Sequence, residues 1–167
     1  MKLFIGSLLV LSLVILFLFA LFPSEITVSR VVQINKPPAD VLKKIDDLRE
    51  WKNWNDFLFA GYAQNSVSYA HGEEDSIKIV RPYVTVDLLK SGGDTVITRW
   101  RHDGKSFTGK FVLSGMNRQT ILEWTLRFHV QWYPWDKLAS MFYDKNLGPL
   151  MEKSLMNLKN EMETPLH

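Results

Sequence analysis

Hydrophobic positions follow two patterns along the chain, one continuous and one alternating. The continuous pattern spans Leu3–Phe22, twenty residues without a charge or a proline. A helix of that length is about 30 Å long, which matches the hydrocarbon core of a bilayer. It therefore predicts an N-terminal transmembrane anchor at residues 1–23, with a cleaved signal peptide or a buried helix as the alternatives.

The charges around this run predict its orientation. Lys2 precedes the run, Ser24 and Glu25 follow it, and Arg30 is the first basic residue beyond it. Basic residues favour the cytoplasmic side of a membrane helix. We therefore expect a single-pass membrane protein whose domain lies on the outer, periplasmic or extracytoplasmic, side.

Residues 24–167 form one domain by length and begin with a strand and helices. The segment Ile26–Ile34 is rich in β-branched residues and predicts a strand. Pro37–Pro38 suits the start of a helix, and Trp51 and Trp54 share one face of a second, short helix.

Alternation dominates the middle of the domain and helical spacing its end. From Ser66 to Trp132, short alternating runs separated by turn residues predict about five antiparallel strands. Apolar residues at helical spacing then predict a helix over residues 135–162, interrupted or kinked at Gly148–Pro149. A sheet with one apolar face and an amphipathic helix to cover it make an α+β domain, with room for a cavity between them.

Charge and composition exclude several classes of function. Residues 24–167 contain all eighteen acidic and nineteen of the twenty basic residues, a net charge of +1. No basic run stands out, so no nucleic-acid partner is expected. The absence of cysteine excludes disulfides and a thiol nucleophile.

Two regions of the domain resemble the SRPBCC superfamily, which includes START lipid-transfer domains, pollen-allergen-like proteins and polyketide cyclase-like proteins. The first comprises Val31–Pro38, Val41 and Leu48–Trp54, and the second comprises Asp144–Gly148 and Leu155–Glu161. The likeness is closest to membrane-anchored bacterial members of the cyclase-like branch. It implies a helix-grip (START-like) fold, with a curved antiparallel sheet around a long C-terminal helix and a deep hydrophobic cavity. Many members bind apolar ligands, and a few are enzymes.

Candidate cavity-lining residues lie on the apolar faces of the predicted strands and helices. They are Trp54, Phe57, Val86, Trp100, Phe111, Trp124, Leu126, Phe128, Met141 and Leu155. An ordinary close-packed core is the competing interpretation of each position, because large rings either bind a ligand or fill space.

Candidates for catalysis and metal binding are weak. His71 with Glu73, Glu74 and Asp75 suggests a metal cluster but fits a solvated turn better, and His102–Asp103 fits a hairpin turn. We therefore expect no catalytic residue, no metal and no cofactor. The predicted function is a membrane-tethered binding domain for an apolar small molecule or lipid. A cyclase- or dehydratase-type enzyme and a scaffold with a filled cavity are the alternatives.

Overall fold

The computed structural model describes residues 2–20, 23–60, 67–70, 75–79, 83–116 and 118–164. Its helices are α1 (Lys2–Ala20), α2 (Pro38–Asp46), α3 (Trp51–Trp54), α4 (Asp56–Phe59), α5 (Pro134–Ser140) and α6 (Tyr143–Glu163). Its strands are β1 (Glu25–Ile34), β2 (Val67–Ala70), β3 (Ser76–Ile79), β4 (Val84–Gly92), β5 (Thr95–His102), β6 (Lys105–Met116) and β7 (Gln119–His129).

The strands form one antiparallel sheet in the order β1-β7-β6-β5-β4-β3-β2. From β2 to β7 each strand pairs with the next one in sequence, and β1 pairs with β7 at the edge of the sheet opposite β2. The turn between β5 and β6 is Asp103–Gly104, with φ values of 48° and 73°. Two residues with positive φ are typical of a tight type I′ hairpin, and Asp-Gly adopts it readily.

The helices cover the apolar face of the sheet. α6 packs on β1, α3 and α4, while α2 lies against β5, β6 and β7. Trp51 and Trp54, the ends of α3, are buried beneath α6. This is the α+β, helix-grip type of fold predicted from the sequence, with seven strands where the alternation predicted about six.

The C-terminal helical segment differs from its prediction. It breaks at Met141 and Phe142, between α5 and α6, whereas α6 runs unbroken through Pro149. The predicted interruption at Gly148–Pro149 is wrong, because the helix continues through both residues. Gly148 has no Cβ, and this removes one of the clashes that a proline ring makes with the residue before it in a helix. The same missing Cβ leaves space for the Arg30 guanidinium, which donates to Asp144 at 2.9 Å.

α1 occupies most of the continuous apolar run, and its described large side chains are exposed. The described helix ends at Ala20, and residues 21 and 22 of the predicted anchor lie outside the described part of the chain. None of the helices in the described ranges has the length and hydropathy needed to cross a membrane.

A glycine in the centre of the sheet makes room for an indole. A Cβ on Gly109 would lie 2.5 Å from Thr98 Oγ1 and 2.6 Å from Trp100 Nε1. Both neighbours are buried, and the Trp100 indole donates to Thr98 Oγ1 at 2.9 Å. The ring of Trp100 therefore lies across the position that any other residue at 109 would fill.

The buried indoles differ in their hydrogen bonds. Trp51 Nε1 donates to the carbonyl of Ile45 at 2.7 Å, in the last turn of α2, where carbonyls have no partner within the helix. Trp54 Nε1 and Trp124 Nε1 are buried without an acceptor among the described residues. Only the first of these three rings therefore ties two elements together by a polar contact.

Lys44 joins α2 to the C-terminal end of α6. Its Nζ donates to Glu50 and to Glu161, each at 2.7 Å. Partial burial acts to lower the pKa of Lys44, but the hydrogen bonds with Glu161 and Glu50 outweigh it and leave that pKa raised. Lys44 is thus held charged where α2 meets α6.

We predict that Trp51→Phe destabilises the domain more than Trp124→Phe. Both rings are fully buried and both changes remove the same atoms. Only the first leaves a helix-end carbonyl unpaired, so it should lower the free energy of unfolding by about 1–2 kcal/mol more. Urea unfolding of the full chain in mild detergent, followed by circular dichroism, measures the difference. Equal losses for the two variants would contradict this prediction.

We also predict that Gly109→Ala lowers the free energy of unfolding by about 1–3 kcal/mol, because the new methyl group overpacks the sheet. The loss should shrink in a Trp100→Phe background, where the indole nitrogen is gone and the two positions are coupled. The same unfolding assay on both single variants and the double variant tests this. Additive losses would show that Gly109 and Trp100 do not interact as described.

Candidate functional site

The space between the sheet and the helices is filled at its centre by aromatic rings. Phe111 stacks on Trp124 with ring centroids 5.1 Å apart, and Trp51 meets the edge of Phe111 at 5.6 Å. Trp54 and Trp100 lie against the same cluster, each within 6.4 Å of Trp124. All five rings are at most 1% exposed. We call these five residues the aromatic core.

The structure separates the predicted cavity-lining residues into three groups. Trp54, Phe111 and Trp124 belong to the aromatic core, and the side chains of Val86, Leu126 and Leu155 are buried as well. Met141 is exposed between α5 and α6. Phe57, Trp100 and Phe128 line one cleft.

This cleft lies at the N-terminal end of α6 and has a volume of about 480 Å³. Ligand pockets commonly hold between about 300 and 1,000 Å³. Its walls come from α4, β4, β5, β6, β7 and α6, together with the turn between β5 and β6. The lining residues are Phe57, Leu58, Val84, Trp100, His102, Asp103, Lys105, Phe107, Phe128, Tyr143, Asn146 and Leu147.

Strand register builds the floor of the cleft. Trp100 on β5 is directly opposite Phe107 on β6, and Phe107 is directly opposite Phe128 on β7. The Trp100 and Phe107 rings stack at 5.7 Å, and Phe107 lies 4.6 Å from Phe128. Tyr143 of α6 continues the row, 5.0 Å from Phe128 and edge-on to it. We call Trp100, Phe107, Phe128 and Tyr143 the aromatic row.

Phe57 closes the row from the helical side. Its ring lies 5.5 Å from Trp100, and its backbone N–H donates to Ser154 Oγ of α6 at 2.9 Å. The Asn55 side chain caps the same short helix by accepting from the Leu58 N–H at 3.1 Å. These two hydrogen bonds fix where Phe57 stands above the cleft.

Three titratable lining residues lie at the rim, whereas Tyr143 belongs to the floor. Asp103 lies in the tight turn between β5 and β6, and His102 and Lys105 flank it. The side chains of Asp103 and Lys105 are largely exposed, and that of His102 is 43% exposed. His102 Nε2 is 3.3 Å from Asp103 Oδ2, and its Nδ1 is 3.3 Å from the Tyr83 carbonyl oxygen. The cleft thus combines an aromatic floor with polar groups at its mouth, an arrangement that suits an apolar molecule with one polar end.

Sequence reasoning missed Phe107, Tyr143 and Leu147. The alternation of Phe107, Gly109 and Phe111 did place Phe107 on the apolar face. Its position in the cleft, however, depends on the register between neighbouring strands, and the hydrophobic pattern of one strand does not reveal that register. The positions of Tyr143 and Leu147 in the cleft depend on where α6 begins, which the helix predicted over residues 135–162 does not give.

Other candidate sites are less favourable for an apolar ligand. Among the described residues, no three His, Asp or Glu side chains form a group that could hold a metal ion. His71, Glu73 and Glu74 lie outside those residues. A groove of about 560 Å³ at the C-terminal end of α6 has a mostly charged lining that includes Lys44, Glu50 and Glu161.

Comparison with known structures shows the same fold. The aromatase/cyclase ZhuI from Streptomyces sp. R1128 superposes with a TM-score of 0.62 at 12% identity, over 83% of this chain and 94% of that one. Truncated norcoclaurine synthase from Thalictrum flavum gives 0.62 at 9% identity, over 84% and 96%. A START superfamily protein from Mycobacterium smegmatis gives 0.59 at 13% identity, over 82% and 97%.

Sequence comparison identifies the family. A search of curated protein sequences finds no match. The family model for polyketide cyclase/dehydrase and lipid transport proteins matches residues 25–163, which is nearly the whole of the domain. The chain therefore belongs to the polyketide cyclase/dehydrase and lipid transport family.

Proposed function

We propose that the domain binds an apolar small molecule or a lipid in the cleft at the N-terminal end of α6, without catalysing a reaction. The observation that carries this proposal is the aromatic row, which forms a continuous apolar floor. Rings on this floor are partly exposed to the cleft at Phe107, Phe128 and Tyr143. A ligand that covered them would gain about 25 cal/mol per Å² of apolar surface removed from water.

The position of the ionisable groups favours binding over catalysis. Cyclisation and dehydration need acid–base groups within hydrogen-bonding reach of the reacting atoms. His102, Asp103 and Lys105 stand at the rim, in or beside the solvent-exposed turn. The titratable residue on the floor, Tyr143, packs edge-on against Phe128. They are placed to contact the polar end of a ligand, and Lys105 supplies a positive charge for a carboxylate or phosphate.

A cyclase- or dehydratase-type enzyme is the second candidate. The pairing of His102 with Asp103 at the mouth of the cleft favours it, and so does the shared fold with an aromatase/cyclase and norcoclaurine synthase. Under this candidate His102 acts as the acid–base group.

A scaffold without a ligand is the third candidate, and the filled aromatic core supports it. The crosslinking experiment below distinguishes this scaffold from a ligand-binding domain.

We further propose that α1 tethers the domain to a membrane. From Leu3 to Ala20 the helix has no charged residue, and its described large side chains are exposed on the outside of the domain. Such a surface is covered by lipid more readily than by water. Only a few residues separate α1 from β1, so the tether keeps the cleft close to a lipid reservoir.

We predict that Leu147→Trp weakens ligand binding strongly, whereas Leu150→Trp leaves it intact. Leu147 lines the cleft, and the larger ring would occupy it; Leu150 lies one turn later on α6, is exposed and does not line the cleft. A fatty acid carrying a diazirine is photo-crosslinked to the full chain in nanodiscs, and labelled peptides are identified by mass spectrometry. We expect labelling at Phe107 and Tyr143 that falls about tenfold in the Leu147 variant.

The remaining outcomes separate the candidates. Labelling that is absent, or equal in the two tryptophan variants, would overturn binding in the cleft and favour the scaffold. Native mass spectrometry of the wild type and of His102→Gln tests the enzyme. If a compound retained by the wild type is chemically altered relative to that retained by the variant, the enzyme candidate replaces the binding proposal.

A further inference from the structure

A second apolar feature lies on the outside of the domain, around α5. Six large side chains within eleven residues are between 37% and 67% exposed. We call them the α5 surface: Trp132, Tyr133, Trp135, Leu138, Met141 and Phe142. Scattered single apolar residues are normal on a protein surface, but this many large exposed apolar side chains on one short segment point to an interaction site.

The α5 surface is organised rather than loose. Tyr133 stacks on Trp135 with a centroid distance of 5.2 Å and an interplanar angle of 7°, and Trp132 lies 5.2 Å from Tyr133. The two charged side chains of this segment do not contribute to it. Lys137 is buried, and Asp136 faces Lys105 at 3.4 Å. What remains exposed is apolar and aromatic.

The α5 surface lies at the same edge of the sheet as the end of α1. Glu25 at the start of β1 is directly opposite His129 at the end of β7. One step further, the Val130 N–H donates to the Ser24 carbonyl at 2.8 Å. The chain therefore leaves the sheet towards α1 and towards Trp132 from adjacent positions, and α1 contacts α5.

The composition of the α5 surface selects its partner. Trp and Tyr are enriched where a bilayer meets water, because their rings are amphipathic and sit at the level of the headgroups. The α5 surface places Trp132, Tyr133 and Trp135 together and adds Leu138, Met141 and Phe142 beyond them. α1, whose described large side chains are exposed, contacts α5. A neutral lipid interface matches this pattern better than a charged partner does.

We propose that the α5 surface docks on the lipid bilayer beside α1. The three aromatic residues Trp132, Tyr133 and Trp135 lie at the headgroups, and Leu138, Met141 and Phe142 reach the acyl region. Asp136 of α5 faces Lys105 at the rim of the cleft at 3.4 Å, so docking brings the cleft and its ligand close to the lipid. This last consequence rests on the proposed ligand binding, whereas docking itself does not.

The absence of cysteine allows a direct test on the full chain. Leu138→Cys is spin-labelled and compared with Ile121→Cys on β7. The native side chains are matched, at 49% and 48% exposed, and residue 121 lies at the far end of β7 from the α5 surface. The labelled proteins are placed in phosphatidylcholine vesicles. Electron paramagnetic resonance then measures how often each label collides with oxygen, which concentrates in lipid, and with a nickel complex, which is soluble in water.

We expect the label at 138 to collide with the nickel complex roughly threefold less than the label at 121, and more with oxygen, because docked residues are buried at the acyl boundary. Equal access of both labels to the nickel complex would overturn docking. Dipolar broadening at 138 that disappears on dilution with unlabelled chain would also overturn it, because a second copy would then cover the α5 surface.

A third label at Leu9→Cys distinguishes docking from the tether. If the label at 9 is shielded from the nickel complex while the label at 138 is not, the tether holds and docking of the α5 surface is wrong. Neither result depends on ligand binding, which the crosslinking of Phe107 and Tyr143 tests separately.

Discussion

Trp51, Trp54, Trp100 and Trp124 pack with Phe111 into one buried cluster, and the placement of the helices on the sheet depends on it. Each such ring buries about 150–250 Å² and dominates the energetics of its surroundings. The cluster joins α3 to β5, β6 and β7, so it sets how closely the helices approach the sheet. Gly109 belongs to the same arrangement, because the Trp100 indole lies where its Cβ would be.

Because the centre is filled, the openings in the described part of the chain lie where the packing ends. The one with an aromatic floor is at the N-terminal end of α6, where the sheet continues as the aromatic row and α6 supplies Tyr143 and Leu147. The rim carries His102, Asp103 and Lys105, and the α5 surface lies just beyond Tyr143. Floor, rim and outer surface therefore follow one another along one edge of the domain. A molecule passing between a bilayer and the cleft would meet these three zones in order.

Much of the fold could be predicted from the sequence, because burial on one face imposes a period of two on strands and about 3.6 on helices. The strand at Ile26–Ile34 and the α3 helix at Trp51 and Trp54 follow from those periods. The continuity of α6 through Pro149 could not be predicted, since a general rule about proline does not take account of the missing Cβ of Gly148, which removes one of the clashes. The cleft could not be predicted either. Its floor depends on the register that sets Phe107 against both Trp100 and Phe128, and register is a property of strand pairs.

The fixed aromatic floor has a consequence for the speed of ligand exchange. In an enclosed cavity a ligand leaves only after helices or loops move apart, motions that take microseconds to milliseconds. Here the rings beneath the cleft are held by stacking and by Trp100 Nε1 donating to Thr98 Oγ1, and Phe107, Phe128 and Tyr143 are already partly exposed. For a ligand bound as proposed, the residence time would then depend on the rehydration of those three rings. Such a site would favour rapid exchange of many similar molecules over long storage of one.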